Sequence, residues 1–197
     1  FTNNQIGNAN AVGAHGVIAG DINGDGDIDI IVANRDTDQS ANPVLATSTV
    51  SLYTSDGAAN PSFSQSTLLG PNNHGYADVQ LGDIDGDGDL DILVAAQGVD
   101  GSSTTWLEND GNSTPSFNAT VLATDQYSNH SISIGDVDND GDLDFIAGGA
   151  HNQQSAATQR ITLFTNNGAA EPSFAATRLI PGETFLTLTS VELTDLD

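Results

Sequence analysis

The chain has 197 residues and a formal net charge of −24, from 27 acidic residues set against three Arg and no Lys. That balance excludes a nucleic-acid binder, which needs cations to displace phosphate counterions, and it excludes docking on anionic membranes. No apolar run approaches the ~18 residues of a membrane-spanning helix, and the absence of Cys removes disulfides, thiolate metal sites and cysteine nucleophiles.

An acidic excess of this size normally marks a self-repelling, disordered chain. Here 37% of the residues are hydrophobic, and they fall in short β-branched runs such as "IDIIVA" (28–33) and "LDILVA" (90–95). Those runs predict folded β structure, and folding then requires something to neutralise the carboxylates, for which bound cations are the obvious candidate. The chain starts at Phe1 without Met and shows no signal peptide, which fits a mature, processed or truncated sequence. Scarce Lys and Arg make a poor substrate for trypsin-like proteases, which suits an extracellular life.

Taken in chain order, the first predicted strand is "GVIAG" (16–20). It enters the acidic loop "GDINGDGDIDII" (20–31), which leaves through "IDIIVA". A third strand carries "SLYTS" and a fourth begins at Phe63, after "DGAANPSF". The same order recurs. "ADVQLG" (77–82) enters "GDIDGDGDLDIL" (82–93), and "TWLENDGNSTPSF" follows at 105–117. "SISIG" (131–135) enters "GDVDNDGDLDFI" (135–146), and "TLFTNNGAAEPSF" follows at 162–174. Asp-Gly and Asn-Gly predict tight turns with positive φ, and the Pro of each "PSF" suits a strand edge. There is no helical periodicity.

The first Asp of successive loops is Asp21, Asp83, Asp136 and Asp195, at spacings of 62, 53 and 59 residues. The expected units are therefore 1–62, 63–116, 117–173 and a partial 174–197, all within one repeat array. Four short strands per unit predict an all-β fold of β-propeller-type blades, each of four antiparallel strands, with about three and a third repeats.

In the second loop, with Asp83 as position 1, carboxylates fall at 1, 3, 5, 7 and 9 and Gly88 stands at 6. A curled loop can turn 1, 3, 5 and 9 toward one ion, while position 7 offers its backbone carbonyl and leaves its side chain free. Hard oxygen ligands at this count suit Ca²⁺ rather than Mg²⁺, and the loops hold no His or Cys for a softer metal. The spacing starts like an EF-hand. Position 12, however, is Val32, Val94 or Ala147 inside an apolar run, so the site is strand–loop–strand.

The motif D-x-[DN]-x-D-G-x-x-D followed by an apolar strand resembles the FG-GAP or VCBS repeat. The resemblance implies a β-propeller, usually seven-bladed, with Ca²⁺ held in hairpin loops. It implies as ligands Asp21, Asn23, Asp25, Asp27 (carbonyl) and Asp29 in the first loop. In the second they are Asp83, Asp85, Asp87, Asp89 (carbonyl) and Asp91, and in the third Asp136, Asp138, Asp140, Asp142 (carbonyl) and Asp144. Asp195 and Asp197 supply ligands 1 and 3 of an incomplete fourth site. The repeat number departs from a seven-bladed ring. The chain is therefore expected to be a piece of a longer protein, or to be completed head to tail by other copies of itself.

Other chemistry is thinner. His15 and His130 lie six residues before their loop's first Asp and His74 nine before, which predicts packing or hydrogen bonding at a strand start; His151 stands apart. Trp106, Tyr53 and Phe164 invite a sugar-stacking role but fall at a repeated strand position, where packing is the simpler account. Asn112, Asn118 and Asn129 are candidate glycosylation acceptors. Nothing singles out a catalytic set. The expected function is a non-catalytic, secreted or cell-surface calcium-binding module, structural or adhesive, such as the protomer of a surface fibril. The alternative is a lectin-like propeller that binds glycans.

Overall fold

The fold is that of a computed structural model, which describes Ile6 and residues 13–35, 48–70, 74–98, 101–125, 128–150, 159–179 and 189–194. Asp195, Asp197 and His151 lie outside the described residues, as do the side chains of His74 and Asn129. Twelve strands follow one another without a helix among the described residues: β1 (Ala14–Gly20), β2 (Asp29–Asn34), β3 (Thr49–Ser55), β4 (Phe63–Leu69), β5 (His74–Gly82), β6 (Asp91–Gly98), β7 (Gly101–Asn109), β8 (Phe117–Asp125), β9 (Ser128–Gly135), β10 (Asp144–Ala150), β11 (Gln159–Asn166) and β12 (Phe174–Arg178).

They form three antiparallel sheets in the orders β1-β2-β3-β4, β5-β6-β7-β8 and β9-β10-β11-β12. Each acidic loop joins the first strand of a sheet to its second. The "PSF" strand pairs with the aromatic-bearing strand before it, as in Ser55 opposite Phe63 and Asn109 opposite Phe117. The first strands β1, β5 and β9 are neighbours, as are the inner strands of propeller blades, but the three sheets do not close a ring.

Burial explains the composition of each strand. β6 lies in the middle sheet, and Ile92 to Ala96 are all at most 1% exposed, so the run is apolar on both faces. The fourth strands are edges: β4 (FSQSTLL) and β12 (FAATR) are mostly exposed and mostly polar or small, which discourages pairing with another chain. One core fills the space between the first two sheets, where Ile31, Val50 and Leu52 meet Val79, Ile92 and Leu107. A second joins Leu93 and Trp106 to Ile132, Phe145 and Phe164. Phe145 stacks on Phe164 at 4.5 Å and meets Phe174 edge-on at 5.1 Å. Position 2 of the first two acidic loops plugs these cores: Ile22 enters the first and Ile84 the second, whereas Val137 of the third is 39% exposed.

Sheets approach closely at the loop entrances. A Cβ on Gly82 would stand 2.9 Å from Leu143 Cδ1 of the next sheet, so glycine there is what lets the following loop's leucine seat. The segment 189–194 lies beside β9, with Val191 N–H donating to Ser131 Oγ (3.3 Å) and Leu193 N–H to Ser133 Oγ (3.0 Å). It repeats the way β9 meets β5, where Ile132 N–H donates to Asp78 Oδ2 (3.0 Å). On the opposite side of the array Val17 is 63% exposed, whereas its counterpart Val79 is 1% exposed between sheets.

All three first strands carry an irregularity at one repeat position, skipping residue 15, residue 77 and residue 130 in turn. Such a bulge re-aims a side chain. His15 uses it, its Nδ1 lying 3.0 Å from the Ala77 carbonyl of the next sheet, which agrees with the hydrogen-bonding role expected of it.

Truncating the most enclosed aromatic tests the second core. Phe145→Ala should lower the unfolding free energy by about 3–5 kcal/mol in urea denaturation. Val121→Ala, at a position 56% exposed, should stay within about 0.5 kcal/mol.

Candidate metal centre

The three acidic loops share one hydrogen-bonded frame. The position 6 glycine donates its N–H to the position 1 carboxylate: Gly26 to Asp21 (2.8 Å), Gly88 to Asp83 (3.0 Å) and Gly141 to Asp136 (3.1 Å). Position 7 donates to position 5 in each copy: Asp27 to Asp25, Asp89 to Asp87 and Asp142 to Asp140, at 2.8–3.0 Å. Position 4 also adopts positive φ, with Gly24 at 70°, Gly86 at 77° and Asn139 at 61°. Asn is one of the few side chains that tolerate this conformation, so Asn139 serves the loop's shape.

Position 9 is the buried member. Asp29, Asp91 and Asp144 are 0–1% exposed. One oxygen of each accepts from position 2 of its own loop: Ile22 N–H (3.3 Å), Ile84 N–H (3.1 Å) and Val137 N–H (2.8 Å). The other accepts from the end of the third strand: Ser55, Asn109 and Asn166 N–H, each at 2.8 Å. A single carboxylate thus fastens loop, second strand and third strand together.

Carboxylate oxygens of Asp83, Asp85 and Asp87 all lie within 4.8 Å of one another, as do those of Asp136, Asp138 and Asp144. The two sets together are positions 1, 3, 5 and 9. In the first loop no such carboxylate trio converges among the described residues; Asn23 there donates its Nδ2 to Asp25 (2.9 Å). Burial, with Asp87 and Asp83 adding repulsion, raises Asp85, and burial pushes Asp91 up to about 6. Asp83 Oδ1 is enclosed and accepts no hydrogen bond. Converging hard oxygens, an orphaned acceptor and no Lys in the whole chain fit a divalent cation. The residues that would hold it are the carboxylates at 1, 3, 5 and 9.

The position 7 side chain is not idle, as the spacing alone suggested. Its carboxylate lies on the glycine of the turn between third and fourth strands: a Cβ on Gly111 would stand 2.0 Å from Asp89 Oδ2, and Gly57 faces Asp27 and Gly168 faces Asp142 in the same way. These glycines have φ of 64–65°, as Asp-Gly and Asn-Gly predicted. The turn is wider than a two-residue hairpin, spanning residues 56–62 in the first sheet. The "PSF" serine clamps it. Ser116 Oγ donates to Asp110 (2.6 Å), and that bond, with the Ser116 and Asn112 amide contacts, holds the Asp110 carboxyl below the usual range.

The remaining candidates separate clearly. Trp106, Tyr53 and Phe164 are 3–8% exposed, in keeping with the packing role expected at their repeated strand position. Asn112 and Asn118 are exposed, with their amides donating to Asp110 and Glu108. Sequence reasoning overlooked Asn109 and Asn166. Asn109 Nδ2 donates to Leu90 O of its own loop (3.0 Å) and to Ile22 O of the preceding loop (2.8 Å). Asn166 does the same to Leu143 O (3.3 Å) and Ile84 O (2.9 Å). The available signal was an Asn before the turn in the second and third copies, where the first has Ser55.

Two outcomes follow from this geometry. Gly111→Ala should lower the melting temperature, because it meets both a positive φ and the Asp89 carboxylate; at least about 1 kcal/mol is expected. Gly111→Ala combined with Asp89→Ala should recover part of that loss. In chelator, stability should depend on pH through Asp91. Its folded pKa, about 6 against an ordinary 3.8, means the folded state holds the proton more tightly. Its contribution is therefore complete below about pH 4 and is lost as pH rises through 6. Urea titrations at pH 4.5 and 7 should show the slope, and Asp91→Asn should flatten it.

A family model for the FG-GAP-like repeat matches residues 21–94 and 93–147. No curated protein matches significantly. The two matched stretches contain all three acidic loops and together span more than half of the chain, which therefore belongs to the FG-GAP-like repeat family.

Proposed function

We propose that this chain is a non-catalytic, extracellular calcium-binding repeat module with a structural and adhesive role. The convergence of Asp83, Asp85 and Asp87, and of Asp136, Asp138 and Asp144, carries the reading. Bound Ca²⁺ would neutralise crowded carboxylates and brace the hairpin of each sheet. The first loop, with Asn23 at position 3, would bind more weakly. Asp195 and Asp197 would begin a fourth site. An extracellular setting supplies calcium at about 1 mM, where a site with Kd on the order of 10⁻⁴ M adds about 1.4 kcal/mol to stability.

The adhesive part of the reading draws on the exposed face of the first sheet. Val17 and Ile28 are 63% and 58% exposed there, whereas their counterparts Val79 and Leu90 pack between sheets. A further repeat from another copy, stacked head to tail, would cover both. Exposed Asn112 and Asn118 would carry glycans on the strand edges.

Calcium titration of the chelator-treated protein tests the central claim. Millimolar Ca²⁺ should raise the melting temperature by several degrees, and Mg²⁺ should do less. Asp87→Ala and Asp138→Ala should each remove one binding event from calorimetric titration. An unchanged melting temperature and circular dichroism spectrum in chelator would falsify calcium binding. For the stacking, light scattering should show mass rising with concentration and Val17→Asp should abolish the rise; a monomer at every concentration removes that part.

A further inference from the structure

A continuous buried path of hydrogen bonds runs through all three acidic loops. Asp29, at position 9 of the first loop, accepts from the Ile22 N–H (3.3 Å). The Ile22 carbonyl accepts from Asn109 Nδ2 (2.8 Å), and the Asn109 N–H donates to Asp91, position 9 of the second loop (2.8 Å). Asp91 accepts from the Ile84 N–H (3.1 Å), and the Ile84 carbonyl accepts from Asn166 Nδ2 (2.9 Å). The Asn166 N–H then donates to Asp144, position 9 of the third loop (2.8 Å), which accepts from the Val137 N–H (2.8 Å). Every side chain on the path from Asp29 to Asp144 is at most 6% exposed, so water offers these groups no alternative partner.

We infer that Asn109 and Asn166 are positioning residues that couple cation binding at adjacent loops, making the array bind Ca²⁺ cooperatively. The inference rests on the calcium reading above. Fixing Asp29 holds the Ile22 N–H and with it the backbone at Ile22, whose carbonyl accepts from the Asn109 amide. The same residue presents its backbone N–H to Asp91 and its Nδ2 to Leu90 O, within the second loop. Ordering one loop therefore lowers the cost of ordering the next. The second and third sheets carry Asn at this position. The first carries Ser55, which keeps the backbone bond to Asp29 (2.8 Å) but has no side-chain amide.

The test is a double-mutant cycle on the intact chain, with Ca²⁺ itself as the probe. The sole Trp, Trp106, lies beside Asp91, so its fluorescence reports the second loop. The first loop is disabled with Asp25→Ala. In the otherwise native chain this should weaken Ca²⁺ at the second loop about fivefold or more. In an Asn109→Ala background the same substitution should shift the midpoint less than twofold. A role in stability alone would lower the melting temperature without changing that difference. If Asn109→Ala does not fold, Asn109→Ser, the residue used by the first sheet, serves the same arms. Equal shifts in both backgrounds, or no shift in either, overturn the coupling while leaving calcium binding intact. No calcium response at any loop overturns the calcium reading and the coupling with it.

Discussion

The structure depends on a buried carboxylate that accepts two backbone hydrogen bonds. Asp29, Asp91 and Asp144 each sit where a second strand begins, and each draws in one N–H from its own loop and one from the end of the third strand. An ionised group buried this deeply is costly unless its partners are fixed. The loops supply fixed partners from sequence neighbours, and the third strand supplies one from 18–26 residues away. Positions 1, 3 and 5 stay nearer to solvent, where a cation can approach. The same loop therefore closes a sheet on its inner side and, in the second and third copies, gathers carboxylates that could hold a cation on its outer side.

The sheets depend on one another through the same region. In the first two loops position 2, Ile22 or Ile84, points into the core between its sheet and the next, while its carbonyl accepts from the next sheet's asparagine. Packing and hydrogen bonding are thus joined at one residue. This also accounts for the acidic excess. Sheets in a repeat array gain their apolar burial from neighbours, so the loops at their rim are free to carry charge that cations would offset.

Much of this was legible in the residues. The strand–loop–strand order follows from the apolar runs flanking each acidic loop, because a half-turn of glycine and aspartate cannot continue either strand. The glycine at position 6 follows from the need for positive φ. The role of "PSF" was legible only in part. Its proline marked a strand edge, but the serine's bond to Asp110 closes a seven-residue connection that local turn chemistry does not encode. The bulges at residues 15, 77 and 130 left no mark, since a bulge is set by the register of two strands and not by the composition of one.

The sequence by itself determined the repeat, the all-β class, the positions of the acidic loops and the residue types that suit a hard cation. These depend on spacing of two to nine residues along one chain, where covalent geometry dictates which side chains share a face. Tertiary structure alone decided which oxygens converge, that the position 7 carboxylate rests on a distant turn glycine, and that Asn109 and Asn166 join one loop to the next. Those contacts bring together residues up to 87 positions apart. Their existence depends on how whole sheets pack, and no local pattern carries that information.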